Sequence, residues 1–189
     1  MKTRESGMPG EQTWESFFRP EEALRRLGLT PHVRHVVDFG CGYGTFSLAA
    51  ARLGTAQVLG LDIEADMIDR CRQRARDERL DHARFEVRDF VADGTGLADA
   101  TADVVMLFNI LHAEEREALL TEAHRVLAPG GRLAATHWKP DPATPRGPSM
   151  DIRPHPEDCR RWMRKAGFQV RSAVIDLPPW HFGLTAVPA

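Results

Sequence analysis

The sequence predicts one α/β domain: a doubly wound, mainly parallel sheet with helices on both faces. From Val36 onward, short apolar runs alternate with longer amphipathic stretches, the pattern of βαβ units. The first apolar run passes straight into a loop with glycine at positions 40, 42 and 44. The chain's 189 residues fit one domain with a substantial core.

The elements follow in order. Residues 1–13 are polar, with Gly7, Pro9 and Gly10, and are expected to be a flexible N-terminus. Apolar residues at 14, 17, 18, 24 and 27 suit helical turns, interrupted at Pro20 and ended at Gly28. His35–Phe39 is the first strand and Thr45–Leu53 the helix after the glycine loop. Gln57–Leu61 is a second strand, Ala65–Arg79 a charged amphipathic helix, and Ala83–Arg88 a third strand. Asp103–Phe108 is a fourth, followed by a helix from about Glu114 to Leu127. After the turn at Pro129-Gly130-Gly131 come strand Arg132–His137 and helix Pro156–Ala166. Phe168–Leu177 and His181–Val187 complete seven strands, and the short Pro178-Pro179 joint requires the last two to run antiparallel. The Pro-Pro-Trp that follows Leu177 is read as a structural corner. Residues 139–156 hold six of the 13 prolines and form a long stiff loop, uncommon in compact domains unless functional.

Composition removes several classes. Lys and Arg number 25 against 27 Asp and Glu, a net charge of −2, so binding nucleic acid or an anionic membrane mainly by charge is not expected. No apolar run approaches the roughly 18–20 residues of a membrane span, and the N-terminus lacks the apolar core of a secretory signal. A cytoplasmic location is expected. Cys41, Cys71 and Cys159 are odd in number and fall on separate elements, so neither a disulfide framework, nor a zinc site, nor converging thiols are expected. His112, His137 and His181 lack any recognised ligand spacing, and no metal is expected.

The glycine loop carries the chemistry. Glycines there allow a tight turn and let a ligand approach the backbone, and the following helix start offers free N–H donors. The register is G-x-G-x-G-T, with Thr45 where a dinucleotide fingerprint has its third glycine, and Asp38 lies two residues before the first. A carboxylate there opposes a pyrophosphate but suits an ammonium. Asp62, ending the second strand 18 residues after Gly44, can accept hydrogen bonds from ribose hydroxyls. Asp89, just past the third strand, can take an exocyclic amino group.

With these residues in place, the chain resembles the class I S-adenosylmethionine-dependent methyltransferases, which have a Rossmann-like seven-stranded sheet with the last strand antiparallel. Val36–Gly44 is similar to their cofactor loop, Leu59–Ile68 to the ribose-reading motif, Arg88–Phe90 to the adenine contact, Asp103–His112 to the strand-four motif and Arg125–Leu133 to the turn into strand five. The resemblance runs from about Trp14 to the C-terminus as one methyltransferase domain. It implies S-adenosylmethionine as cofactor, leaving S-adenosylhomocysteine, held by Asp38, Gly40, Cys41, Gly42, Gly44, Asp62, Ile63, Met67, Asp89, Phe90 and Asn109.

His112 and Asn109 follow the fourth strand at the carboxyl edge, where such sheets bind ligands, and are the candidates for the transfer site, His112 as a base if the acceptor arrives protonated. Residues 14–34 are expected to form a helical lid with Phe17 and Phe18 over the site, with His137, Trp138 and Arg146 as further candidate acceptor contacts. Arg146, Asp151 and Arg153 make a polar cluster on the proline-rich loop. A small-molecule acceptor is expected, since no recognition domain or basic stripe is present. A nicotinamide-dependent oxidoreductase and a non-catalytic cofactor-binding module stay open.

Overall fold

The computed structural model describes residues 8–170 and 173–189. Five parallel strands form the core of the sheet: β1 His35–Phe39, β2 Gln57–Asp62, β3 Ala83–Val87, β4 Ala102–Phe108 and β5 Leu127–Trp138. β6 Phe168–Val170, β7 Ile175–Leu177 and β8 His181–Pro188 complete it. The order is β3-β2-β1-β4-β5-β8-β6, with β7 also paired to β8. β8 runs antiparallel to β5, β6 and β7. The order reverses between β1 and β4, so their carboxyl ends open a crevice there.

Two elements differ from expectation. The strand predicted over Phe168–Leu177 is two short strands that divide one edge of β8: β6 pairs its end at Val187 and β7 its start at His181. Residues 171–172 of that prediction, like the first seven of the predicted flexible N-terminus, lie outside the described residues. The turn at Pro129-Gly130-Gly131 lies inside β5: Leu127 pairs Ala102, and after a register shift Arg132 pairs Val104.

The helices are α1 Glu11–Glu15, α2 Pro20–Arg26, α3 Thr45–Arg52, α4 Ala65–Asp77, α5 Arg116–Val126 and α6 Pro156–Lys165. Helix α1 falls partly within the stretch expected to be flexible. Buried residues recur at helical spacing, as with Ile68, Cys71 and Ala75 of α4 or Leu119, Leu120, Ala123 and Val126 of α5. They build one core on each face of the sheet. Leu24, Leu48, Ile68, Met106 and Phe108 belong to the face that α2, α3 and α4 cover. Leu107, Leu119, Met163, Phe182 and Leu184 belong to the face under α5 and α6. A fully buried Leu or Phe contributes about 1.5–3 kcal/mol, so these cores hold the strand ends in place beneath the crevice. Among the described residues no helix is long and apolar enough to cross a membrane.

Candidate active site

The glycine loop joins β1 to α3. Gly40, Gly42 and Gly44 have φ of +74°, +52° and +74°, left-handed values costly for any residue with a Cβ. The loop is pinned to the end of β2: the N–H groups of Gly40 and Cys41 both donate to Leu61 O, at 2.8 and 2.9 Å. Asp62 extends that hold, since Oδ2 accepts from Gly42 N at 2.8 Å and Oδ1 from Glu64 N at 3.0 Å. Burial raises the Asp62 carboxyl above the usual range, and these N–H donors oppose it. A carboxylate has about four lone-pair sites, so Asp62 retains capacity for a ligand hydroxyl.

Asp38 lies beneath the loop, 3% exposed, with Oδ2 accepting the Ser47 hydroxyl at 2.6 Å. Burial pushes its carboxyl up to about 7; the Ser47 bond opposes this and the Asp62 charge adds to it. Ser47, on α3, is a partner that the motif does not reveal.

Cys41 and Cys71 correct the expectation of separated thiols. Cys71 Sγ donates to Gly42 O at 3.1 Å, and the neighbouring Cys71 thiol and burial hold the Cys41 thiol far above its usual range. They meet because the loop folds back onto α4, whereas Cys159 is buried in the other core.

Around the crevice, Ile63 is 38% exposed and Met67 is half-buried on the first turn of α4. Asp89 Oδ1 accepts from Ala92 N at 3.1 Å. The Phe90 ring packs on Phe39 with centroids 5.2 Å apart, and its tip is 3.9 Å from the point where a Gly40 side chain would begin. Asn109 has φ of +57°, and its amide N and O are both buried without a hydrogen-bond partner. Such a group has strong need of a partner.

The candidate acceptor residues divide between the two faces of the sheet. His112 Nδ1 lies 3.2 Å from His137 Nε2, while Trp138 packs against Phe17, Phe18 and His181 at centroid distances of 5.3, 6.1 and 4.2 Å. His137 and Trp138 are successive strand residues and point to opposite faces, so the structure does not bring them together on one wall. His181, which stacks beside the expected Trp138, was missed as a wall residue; its Nε2 and Thr136 Oγ1 are buried and unpartnered beside a small cavity also lined by Phe18 and Phe46. Among the described residues no group of three His, Cys, Asp or Glu side chains is arranged to hold a metal.

The polar cluster of the proline-rich loop is also corrected. Arg146 and Asp151 are exposed, but Arg153 is 8% exposed and donates to the carbonyls of Lys139, Arg146 and Pro148 at 3.2, 3.1 and 2.7 Å. Its guanidinium ties the loop together and is not available to a substrate.

The N-terminal segment crosses the glycine loop. Tyr43 donates its hydroxyl to Pro9 O at 3.0 Å. Arg74 on α4 donates to Glu11 and Glu15 of α1 at 2.8 and 2.7 Å. The Met8 methyl sits 2.7 Å from where a Gly42 Cβ would stand. Tyr43 and Met8 carried no signal in the sequence, because nothing local links them.

A left-handed glycine loop over a buried carboxyl, at the crevice of this strand order, defines the class: a Rossmann-like domain of the class I S-adenosylmethionine-dependent methyltransferase type. The model of the methyltransferase domain family matches residues 36–131, and the chain belongs to that family. Ribosomal protein L11 methyltransferase of Shewanella baltica (strain OS185) is 35% identical over 147 residues, 71% of this chain and 45% of that protein. Dimethylglycine N-methyltransferase of Parasynechococcus marenigrum (strain WH8102) is 36% identical over 118 residues, 62% of this chain and 40% of that one. The chain thus spans less than half the length of these curated relatives. The solved structure of an SAM-dependent methyltransferase from Aquifex aeolicus matches with a TM-score of 0.81 over 93% of this chain and 92% of that one. At 22% identity this likeness is one of fold.

Proposed function

We propose that the chain is an S-adenosylmethionine-dependent methyltransferase domain acting on a small-molecule acceptor. The observation that carries this is the left-handed glycine loop held between two buried carboxyls, Asp38 and Asp62. The residues present fit the cofactor. Asp38 suits an ammonium, which would favour its ionised form. The main chain at Gly40, Cys41, Gly42 and Gly44 suits close approach, and Asp62 suits ribose hydroxyls. Ile63, Met67 and Phe90 offer apolar surface and Asp89 an acceptor for adenine, and the unpartnered Asn109 amide offers both a donor and an acceptor.

When bound, S-adenosylmethionine supplies an electrophilic methyl on a positively charged sulfur. The chain's own residues then have three tasks: alignment, exclusion of water and removal of the acceptor's proton. Phe17 and Phe18, packed over Trp138, and the strap at residues 8–18 supply the lid. His112, half-buried at the edge after β4, is the group to take a proton. The covered edge and the near-neutral surface favour a small acceptor over a polypeptide.

Thermal unfolding with S-adenosylmethionine, S-adenosylhomocysteine and NAD, added separately, tests the cofactor. A ligand at about 100 times its Kd adds about 2.7 kcal/mol, a rise of roughly 5–10 °C for a domain of this size. A rise with NAD alone points to an oxidoreductase. Labelled methyl transfer is then measured to phenols, amines and carboxylates, with ribosomal protein L11 as the protein acceptor. Turnover of L11 alone rejects the small-molecule assignment, and binding without any transfer leaves a non-catalytic module.

A further inference from the structure

Beneath the lid, Thr136 and His181 bring two buried polar atoms to one small cavity. Thr136 and Trp138 are alternate residues of β5 and share a face of the sheet. His181, the first residue of β8, pairs with Trp138, and Gly183 pairs with Thr136. Thr136 and His181 are therefore diagonal neighbours on that face, with backbones about 7–8 Å apart and side chains closer. Each is 3% exposed. Among the described residues, neither Thr136 Oγ1 nor His181 Nε2 has a hydrogen-bond partner.

The surroundings explain why. Phe18, Phe46, Leu177 and Pro178 make most of the cavity wall. Opposite Thr136, Leu27 and Leu177 come within 2.8 and 2.9 Å of the place where a Cβ on Gly183 would stand. These side chains can neither donate nor accept. Phe18 and Trp138 lie against the His181 ring, at centroid distances of 4.5 and 4.2 Å, and keep Nε2 from solvent. Buried polar groups in native cores are nearly always satisfied, so two orphans on one cavity call for an occupant between them.

The cavity sets what that occupant is. A water-sized site needs roughly 10–15 Å³ of room and two to four polar partners; this cavity has about 10 Å³ and two partners. A carboxylate or a phosphate is too large. Both partners are neutral, since burial, with the Lys139 and Arg153 charges adding to it, brings the His181 ring down to about 3. A hydroxyl oxygen donates and accepts, as does the Thr136 hydroxyl, so it satisfies both partners whichever ring nitrogen of His181 carries hydrogen. The cavity also adjoins the crevice. Asn109 N donates to Thr136 O at 2.9 Å, and Phe46 packs on Phe108, the last residue of β4, with centroids 4.7 Å apart.

We propose that Thr136 and His181 form a site for one neutral hydroxyl oxygen, beneath the lid and beside the end of β4. Water or a hydroxyl of the methyl acceptor supplies that oxygen. The site stands independently of the methyltransferase assignment, and only its use by an acceptor rests on that assignment.

A high-resolution crystal structure of the native protein should show one oxygen about 2.7–3.2 Å from both Thr136 Oγ1 and His181 Nε2. Thr136→Val, which keeps the side chain's shape, gives a second readout by its sign. With the site occupied, the variant takes a partner from the bound oxygen, and Tm should fall by a few degrees. With a dry cavity, it removes an orphaned hydroxyl, and Tm should rise. Crystals soaked with phenol separate the two sources. The phenol hydroxyl in the oxygen's place, lost again in Thr136→Val, assigns the site to an acceptor; an isolated oxygen that stays assigns it to water. An empty cavity in the native protein, or a higher Tm for Thr136→Val, overturns the proposal. A failure to bind S-adenosylmethionine would instead sink the methyltransferase assignment and leave these results as they are.

Discussion

Replacing Asp38 by Asn is expected to raise stability while weakening the cofactor site. The carboxyl is 3% exposed and is pushed up to about 7 from 3.8, chiefly by burial. At about 1.4 kcal/mol per pH unit, ionising it in the folded protein costs about 4 kcal/mol more than in the unfolded chain. Its folded pKa lies above the unfolded value, so the native state binds this proton more tightly. The resulting stability is fully present below about pH 4 and is lost as pH rises through about 7. Asn keeps an oxygen for the Ser47 hydroxyl, which Asp38 accepts at 2.6 Å, and removes the titration. It adds an NH2 to the buried site, so the gain at pH 8 should be about 2–3 kcal/mol, with near equality at pH 4. Urea unfolding of both proteins across this range measures the difference directly. Calorimetry should show at least a tenfold loss of S-adenosylmethionine affinity at pH 8, since the ammonium loses its counter-charge. A variant less stable than the native protein at pH 8, or a stability difference that does not vary with pH, would refute the reasoning.

Further expectations concern the loop, the edge and the lid. Gly44→Ala places a Cβ 2.9 Å from Cys71 Sγ at φ +74° and should cost about 1–3 kcal/mol in thermal unfolding; adding Cys71→Ala should recover only the part due to the clash. Asn109→Gly retains the φ of +57° without strain and removes two orphaned polar atoms, so Tm should hold or rise by a few degrees while S-adenosylmethionine affinity falls about tenfold. Arg153→Ala should cost about 2–3 kcal/mol and speed proteolysis within residues 139–155, by releasing the carbonyls of Lys139, Arg146 and Pro148. Arg146→Ala, at an exposed position, should stay within about 0.5 kcal/mol. Phe18→Ala loses ring contacts with Trp138, Phe46 and His181 and should cost about 2 kcal/mol in unfolding experiments.

The parallel strands β1 to β4 were legible because each is a short apolar or, in β3, alternating run bounded by turn residues, a local property. Predicted and observed limits agree within a residue or two for β1, α3 and α6. The C-terminal region was less legible. A long β8 can be covered by one strand or by two short ones, and only the packing of its neighbours selects the second. Arg153 illustrates the same limit in the site: its sequence neighbours suggest a charged surface, but backbone carbonyls from the start and middle of the loop converge on it.

The sequence by itself determined the order of the elements and the position of the glycine loop, because left-handed backbone, strand patterning and strand-end carboxylates are properties of adjacent residues. Tertiary structure alone decided which side chains meet. Asp38 receives Ser47 across the first turn of α3, Cys41 meets Cys71 where the loop folds onto α4, and His112 reaches His137 because β5 lies beside β4. The strand pleat sends Trp138 to the opposite face, under Phe17 and Phe18 of the N-terminal segment. Such contacts depend on register, sheet order and burial, which are set by the whole packed core and not by any local stretch of chain.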